Sequence, residues 1–169
     1  MISKRGPASP APMCPALSGA RPGVFALLLA LVGAGGVSGQ SGEDAAEVGA
    51  VVEAVGTGLE AGDFAALDTL FAAGPGVHII EGAGVNHGWS DYRDHHLAPE
   101  LEVFEDFSYR WFSIEPVVEG DAAWAAFRYE LAADTPDGHV EVEGRGTIVL
   151  QRRDSRWRVV HLHTSGRRR

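Results

Sequence analysis

Two imidazoles one residue apart, His161 and His163, stand near the end of the chain. On a strand, residues i and i+2 point to the same side. The pair can therefore share one ion, divide acid and base roles, or sit as two hydrogen-bonded polar residues in a sheet. As metal ligands, they would need His87 or His96 and Glu81 to complete the shell. As an acid-base site, His161 beside Glu130 or Glu81 is a general-base candidate, and Arg128 can stabilise an enolate or carboxylate. Arg128 and Glu130 are themselves two apart, and a plain strand-face ion pair explains them equally well.

A second polar concentration runs from Asn86 to His96. Helical spacing places Tyr92, His95, His96 and Pro99 on roughly one side. Neighbouring residues diverge by about 100° on a helix, so only one of His95 and His96 is expected to face a pocket with Tyr92. His96 is taken as that residue. Trp89, Trp111, Trp124 and Trp157 are wall-type residues. The first three join Arg128, Tyr92, His96 and His163 as ligand-binding candidates, with His161 and Glu130 as catalytic ones.

Composition removes several chemistries. The first 40 residues hold Lys4, Arg5 and Arg21 and no acid, whereas residues 41–169 carry 11 arginines against 23 acids, a formal −12. So acidic a body is a poor partner for nucleic acid. The only cysteine, Cys14, and the only lysine, Lys4, both lie in the first 40 residues. Thiolate nucleophiles, Schiff-base lysines and cysteine-ligated zinc are thereby excluded from the remainder.

Those 40 residues have the form of an export signal. Arg21 precedes the apolar run Val24–Val32, and small residues follow, with Val37-Ser38-Gly39 fitting a cleavage pattern. The run is shorter than the roughly 20 residues that span a bilayer. Residues 1–40 are therefore expected to be a signal peptide, with Met13 as an alternative start. A domain over 41–166 and a solvated basic tail over 167–169 are expected to follow. No cysteine follows the apolar run, so no stable membrane anchor is expected after cleavage. The location implied is periplasmic or secreted.

The elements that must position the candidates are read from periodicity. Val48, Val51, Val52, Val55 and Leu59 predict a helix over 43–61. Gly62-Asp63 ends it, and Asp63 caps a second helix over 64–71. A short hairpin follows over 77–81 and 85–89, then a helix over 91–97 bounded by Pro99. Period-two patterning then predicts strands over 107–119, 122–133, 140–152 and 156–165, joined by tight turns. Helices first and a meander afterwards imply an α+β fold.

This order, with its local motifs, resembles the nuclear transport factor 2-like superfamily, and within it the SnoaL-like domains. Gly62-Asp63, Ala66-Leu67 and Leu70-Phe71 resemble that family's second helix. Arg152-Arg153-Asp154-Ser155-Arg156-Trp157 followed by Val160-His161-Leu162-His163-Thr164-Ser165-Gly166 resembles its last hairpin. The same close is similar to that of the association domain of calcium/calmodulin-dependent protein kinase II. The resemblance implies a cone, with N-terminal helices packed on a curved antiparallel sheet of four to six strands, and a pocket between helices and sheet. It also implies that sheet-to-sheet homodimers are common. Arg128 resembles a pocket arginine of the kinase domain by its place in the strand, so the Arg128 and His161 faces are expected to line the cone.

The expected function is that of an exported domain with a pocket for a small, partly apolar molecule. It either binds that molecule or performs acid-base chemistry such as isomerisation, cyclisation or hydration on it. No cofactor is expected. The alternatives are a non-catalytic oligomerisation or binding module and a His-ligated metal enzyme.

Overall fold

The computed structural model describes residues 37–169, with side chains from residue 41. The expected signal segment, including Met13, lies outside the described residues except for the backbone of 37–40, which forms the first turn of α1 (Val37–Ala61). No helix among the described residues is long and apolar enough to cross a membrane.

Helix α1 buries Val48, Val52, Val55 and Leu59 completely or nearly so, at the spacing that makes one apolar stripe. It stops at Gly62, whose φ of 63° lies in the left-handed region. Gly62 N donates to Leu59 O (3.3 Å) and Asp63 N to Gly58 O (2.9 Å), the paired bonds of a Schellman close. Asp63 then turns its side chain forward and accepts from Ala66 N at 3.0 Å, capping α2 (Phe64–Leu70). The Gly-Asp pair therefore stops one helix and starts the next.

Strands β1 (His78–Glu81) and β2 (Gly84–His87) form the short hairpin. One helical stretch follows in three parts: α3 (Trp89–Tyr92), a π turn (Arg93–Leu97) and α4 (Ala98–Leu101). Pro99 does not bound the helix as expected. It sits in the first turn of α4. Proline lacks an N–H to bond the carbonyl four residues back. The turn before it widens, and Ala98 N reaches Arg93 O instead.

The meander comprises β3 (Glu105–Glu119), β4 (Ala122–Thr135), β5 (Gly138–Arg153) and β6 (Arg156–Arg168). The six strands lie in the order β2-β1-β6-β5-β4-β3. The sheet is mixed rather than wholly antiparallel, because β1 runs parallel to β6, pairing His78 with His161 and Ile80 with His163. Every other pair is antiparallel. The closing arginines do not form a loose tail. β6 runs through Arg168, and Arg167 and Arg169 pair with Glu143.

The helices cover the sheet face that carries Ala123, Ala125, Phe127 and Tyr129 of β4, all buried. This corrects the expectation that the Arg128 face lines the cone. Trp124, Ala126 and Arg128 point outward, and Trp124 keeps 38% of its surface exposed. The cause is energetic. Burying a Phe side chain contributes roughly 1.5–3 kcal/mol, whereas an arginine under the helices would lose hydration without a partner.

The last strand corrects a second parity. Leu150 pairs with Val159, but Val149 pairs with His161, so Val160 is an extra residue bulged from β6. Before the bulge, Trp157 and Val159 face inward; after it, Leu162 and Thr164 do. His161 and His163 consequently lie on the outer face with the half-exposed side of β5.

Candidate active site

The inner face is filled by aromatic packing at one end and carries a partly exposed polar cluster at the other. At the filled end, Trp111 of β3 stacks on Phe127 of β4, with centroids 3.9 Å apart and planes 17° from parallel. Gly56 of α1 lets the helix close on that indole, since a Cβ there would lie 2.9 Å from it. Trp111 is thus a wall of the cone, packed between α1 and β4. Its buried indole N–H has no aligned acceptor among the described residues, and its polar influence falls on the Tyr109 hydroxyl.

At the open end a cluster of titratable groups converges. Glu81, at the end of β1, shares inward parity with buried Ile79. Tyr92 of α3 donates from its hydroxyl to Glu81 Oε2 at 3.0 Å. His96, one widened turn later, places Nε2 3.5 Å from Glu81 Oε2 and 3.4 Å from Glu100 Oε1. The Tyr92 and His96 rings lie 4.9 Å apart. Tyr109 of β3 meets Tyr129 of β4 edge to face at 5.3 Å. An imidazole therefore stands between two carboxylates and against the Tyr92 ring, and the charge of Glu81 reaches the Tyr109 and Tyr129 hydroxyls.

Helix geometry explains why these residues meet. Tyr92, His96 and Glu100 are spaced i, i+4, i+8. On a regular helix, each step of four drifts by about 40°. The π turn takes more residues per turn and reduces that drift, so all three look toward Glu81.

Electrostatics set the protonation of the cluster. Burial holds the hydroxyls of Tyr92, Tyr109 and Tyr129 above the usual phenol range, and the negative charge of Glu81 adds to this in each case. They remain protonated donors at neutral pH. Burial likewise pushes the Glu100 carboxyl up; the positive character of His96 opposes this, and Glu81 reinforces it. Around His96, donors and acceptors are thus arranged in pairs, the arrangement that general acid-base chemistry uses.

The structure sorts the sequence candidates into two groups. Tyr92, His96 and Trp111 are brought together on the inside. Trp89 is also inside, but it is committed to packing: it stacks on Phe71 at 4.4 Å and donates Nε1 to Asp68 at 2.6 Å. As expected of neighbours, His95 faces away from His96, with three quarters of its side chain exposed beside Asp91. Arg128, Glu130, Trp124, His161 and His163 lie on the outer face, so the pairing of His161 with Glu81 or Glu130 in a pocket is corrected. Glu130 is bound to Arg110 and Arg169. The sheet also divides the metal set built on His161 and His163, leaving Glu81 and His96 on its other side. Among the described residues no three His, Asp or Glu side chains converge as ligands.

The outer histidines form a row of their own, His87–His78–His161 across β2, β1 and β6. The His78 and His87 rings meet edge to face at 5.2 Å. Partial burial depresses His161, and neighbouring His163 and His78 depress it further.

Residues 48–167 match the SnoaL-like domain family. The chain belongs to that family. Among solved structures, this SnoaL-like chain is similar to a nuclear transport factor 2-like superfamily protein of Salmonella enterica serovar Typhimurium. The TM-score is 0.68 and the identity 22%, over 74% of this chain and 92% of that one. A proposed ketosteroid isomerase of Shewanella frigidimarina matches with TM-score 0.59 and 23% identity over 69% and 93%. A proposed dehydratase of the same superfamily from Streptomyces avermitilis matches with TM-score 0.64 and 19% identity over 73% and 96%. At these identities the likeness establishes the fold. No curated protein matches the sequence.

Proposed function

We propose that the open end of the cone binds a small, partly apolar molecule bearing a carbonyl or carboxylate, and moves a proton on it. The carrying observation is His96 set between Glu81 and Glu100 and against Tyr92, with the Tyr109 and Tyr129 hydroxyls in the field of Glu81 and kept protonated by burial. In this reading, tyrosine hydroxyls donate to the ligand oxygen, and Glu81 or His96 takes a proton from the carbon beside it. Isomerisation, dehydration and cyclisation of carbonyl compounds can all start with that step. The roles proposed for two similar proteins, a ketosteroid isomerase and a dehydratase, are reactions of this class. A cyclic β,γ-unsaturated ketone is a direct probe: conversion to the conjugated enone appears as new ultraviolet absorbance. Loss of conversion in Glu81→Gln and His96→Gln supports the reading; equal rates in parent and variants overturn it.

The Trp111–Phe127 stack that fills the deep cone favours a second reading, a binding module without turnover. Native mass spectrometry that finds a retained ligand, with no conversion of the ketone, would select it. We further propose export to the periplasm or exterior, supported by the residue pattern of 1–40, and a homodimer. Val85, Val117 and Trp124 expose apolar surface on the outer face, as sheet pairing requires. Mature secreted protein beginning near residue 40 and a dimeric sedimentation mass are the expected results.

A further inference from the structure

We propose that the outer face of the sheet carries a second binding site, for a small oxyanion, held by Arg128 and Arg145. The two arginines are direct cross-strand partners, and Ser165 continues their row on β6. All three line an open groove of about 480 Å³, whose floor includes the backbone of Gly144 and Gly166. Like charges placed directly opposite each other on a sheet repel.

No carboxylate among the described residues forms an ion pair with Arg128 or Arg145. Glu130 and Glu143 are the acids in this patch. Glu130 pairs with Arg110 and Arg169, and Glu143 pairs with Arg167 and Arg169. Two carboxylates thus serve three arginines, and neither forms an ion pair with Arg128 or Arg145. Arg128 rests instead over the Phe112 ring, 5.2 Å from its centroid, a contact that holds the guanidinium without neutralising it. The patch is positive on a chain whose formal net charge is −9. Glu143 also lines the groove, but Arg167 and Arg169 take its carboxylate oxygens.

The chemistry selects the ligand. Paired guanidinium forks bind planar or tetrahedral oxyanions through parallel charge-assisted hydrogen bonds. The Ser165 hydroxyl supplies another donor at the end of the row. Phosphate and carboxylate groups share this chemistry. The site lies on the opposite side of the sheet from Glu81 and His96, so it acts independently of the proposed acid-base cluster.

The test uses the full chain, titrated separately with inorganic phosphate and with succinate at ionic strength fixed by chloride. Melting temperature and the NMR signals of the arginine Nε–H groups are followed in the parent, Arg128→Gln and Arg145→Gln. Arg153→Gln, at the distant β5–β6 turn, is the control. Without added anion, Arg145→Gln melts at or above the parent, because an opposed charge has gone. With anion, the parent and the control gain stability, and the two variants bind about tenfold more weakly, the loss of one charge-assisted contact. A response to phosphate alone identifies a phosphate ligand; a response to succinate alone identifies a carboxylate. Equal responses in parent and variants overturn the site. So does destabilisation of Arg145→Gln before anion is added, or protection by chloride alone. A dimer mass that changes in Arg128→Gln and Arg145→Gln but not in Arg153→Gln would place a second copy of the chain in the groove and also overturns it.

Discussion

The ring of Tyr129 lies across Gly144 of the neighbouring strand, and its hydroxyl reaches the α-carbon of Gly166 one strand further on. A Cβ on either glycine would fall well inside van der Waals contact with that side chain. Phe127 lies over Gly146 in the same way. Three positions on two strands, β5 and β6, give up side chains so that two aromatic rings can lie against the sheet.

Gly146→Ala is expected to destabilise the protein by about 2 kcal/mol, the usual cost of overpacking a core. Urea unfolding measures it. Phe127→Leu in the same chain should recover part of that loss, so that the two changes couple. Additive losses would show that the ring and the glycine do not constrain each other.

Asp63→Ala removes the cap of α2, whose side chain accepts from Ala66 N at 3.0 Å. A loss of about 1 kcal/mol is expected. Asp63→Ser should restore most of it in the same unfolding measurement. A loss shared equally by the Ala and Ser variants would assign the effect to something other than the cap.

Burial raises the folded-state pKa of Glu100 above its ordinary value of about 4.5. For a carboxyl, that sign means the ionised form opposes folding. The penalty is full at neutral pH, fades as pH falls through the raised value and is gone below about 4.5. Glu100→Gln should therefore melt higher than the parent at pH 7 and equal to it below pH 4.5. A lower melting temperature at pH 7 would contradict this.

His161 has the opposite linkage. Its folded pKa lies below the reference 6.5, so the unfolded chain takes up the proton first. Stability from this residue is present above about pH 6.5 and is lost as pH falls through that value toward the lower folded one. The groups facing it are His78 and His163, with Val149 across the β5 side. Replacing His161 with Gln should flatten the fall in melting temperature between pH 7 and 5.

The elements were legible because local signals and tertiary packing agree. Gly62-Asp63 encodes a stop and a start in adjacent residues, and the valines of α1 encode its buried stripe. The residues of the open end were only partly legible. Tyr92 and His96 follow from helical spacing, and extending that spacing by four would have reached Glu100. Tyr109 and Tyr129 were missed because the inner face was assigned from Arg128, although Phe127 and Tyr129 offer more apolar surface to bury. Glu81 enters the sequence reading only beside the His161-His163 pair, as an acid-base partner or a fellow metal ligand. No propensity marks Val160 as a bulge; a Val-Val run fits a regular strand equally well. Its extra residue exists only in the pairing with β5.

That one residue in β6 makes the strand two strands in sequence logic. Upstream of Val160, alternate positions answer to the demands of the core; downstream, the same alternation answers to whatever meets the outer surface. Selection on the two histidines is thereby uncoupled from selection on the cone. Substitutions at His161 and His163 can alter the protein's exterior while Leu162 and Thr164 keep its interior, and deleting Val160 would exchange the two sets at a stroke.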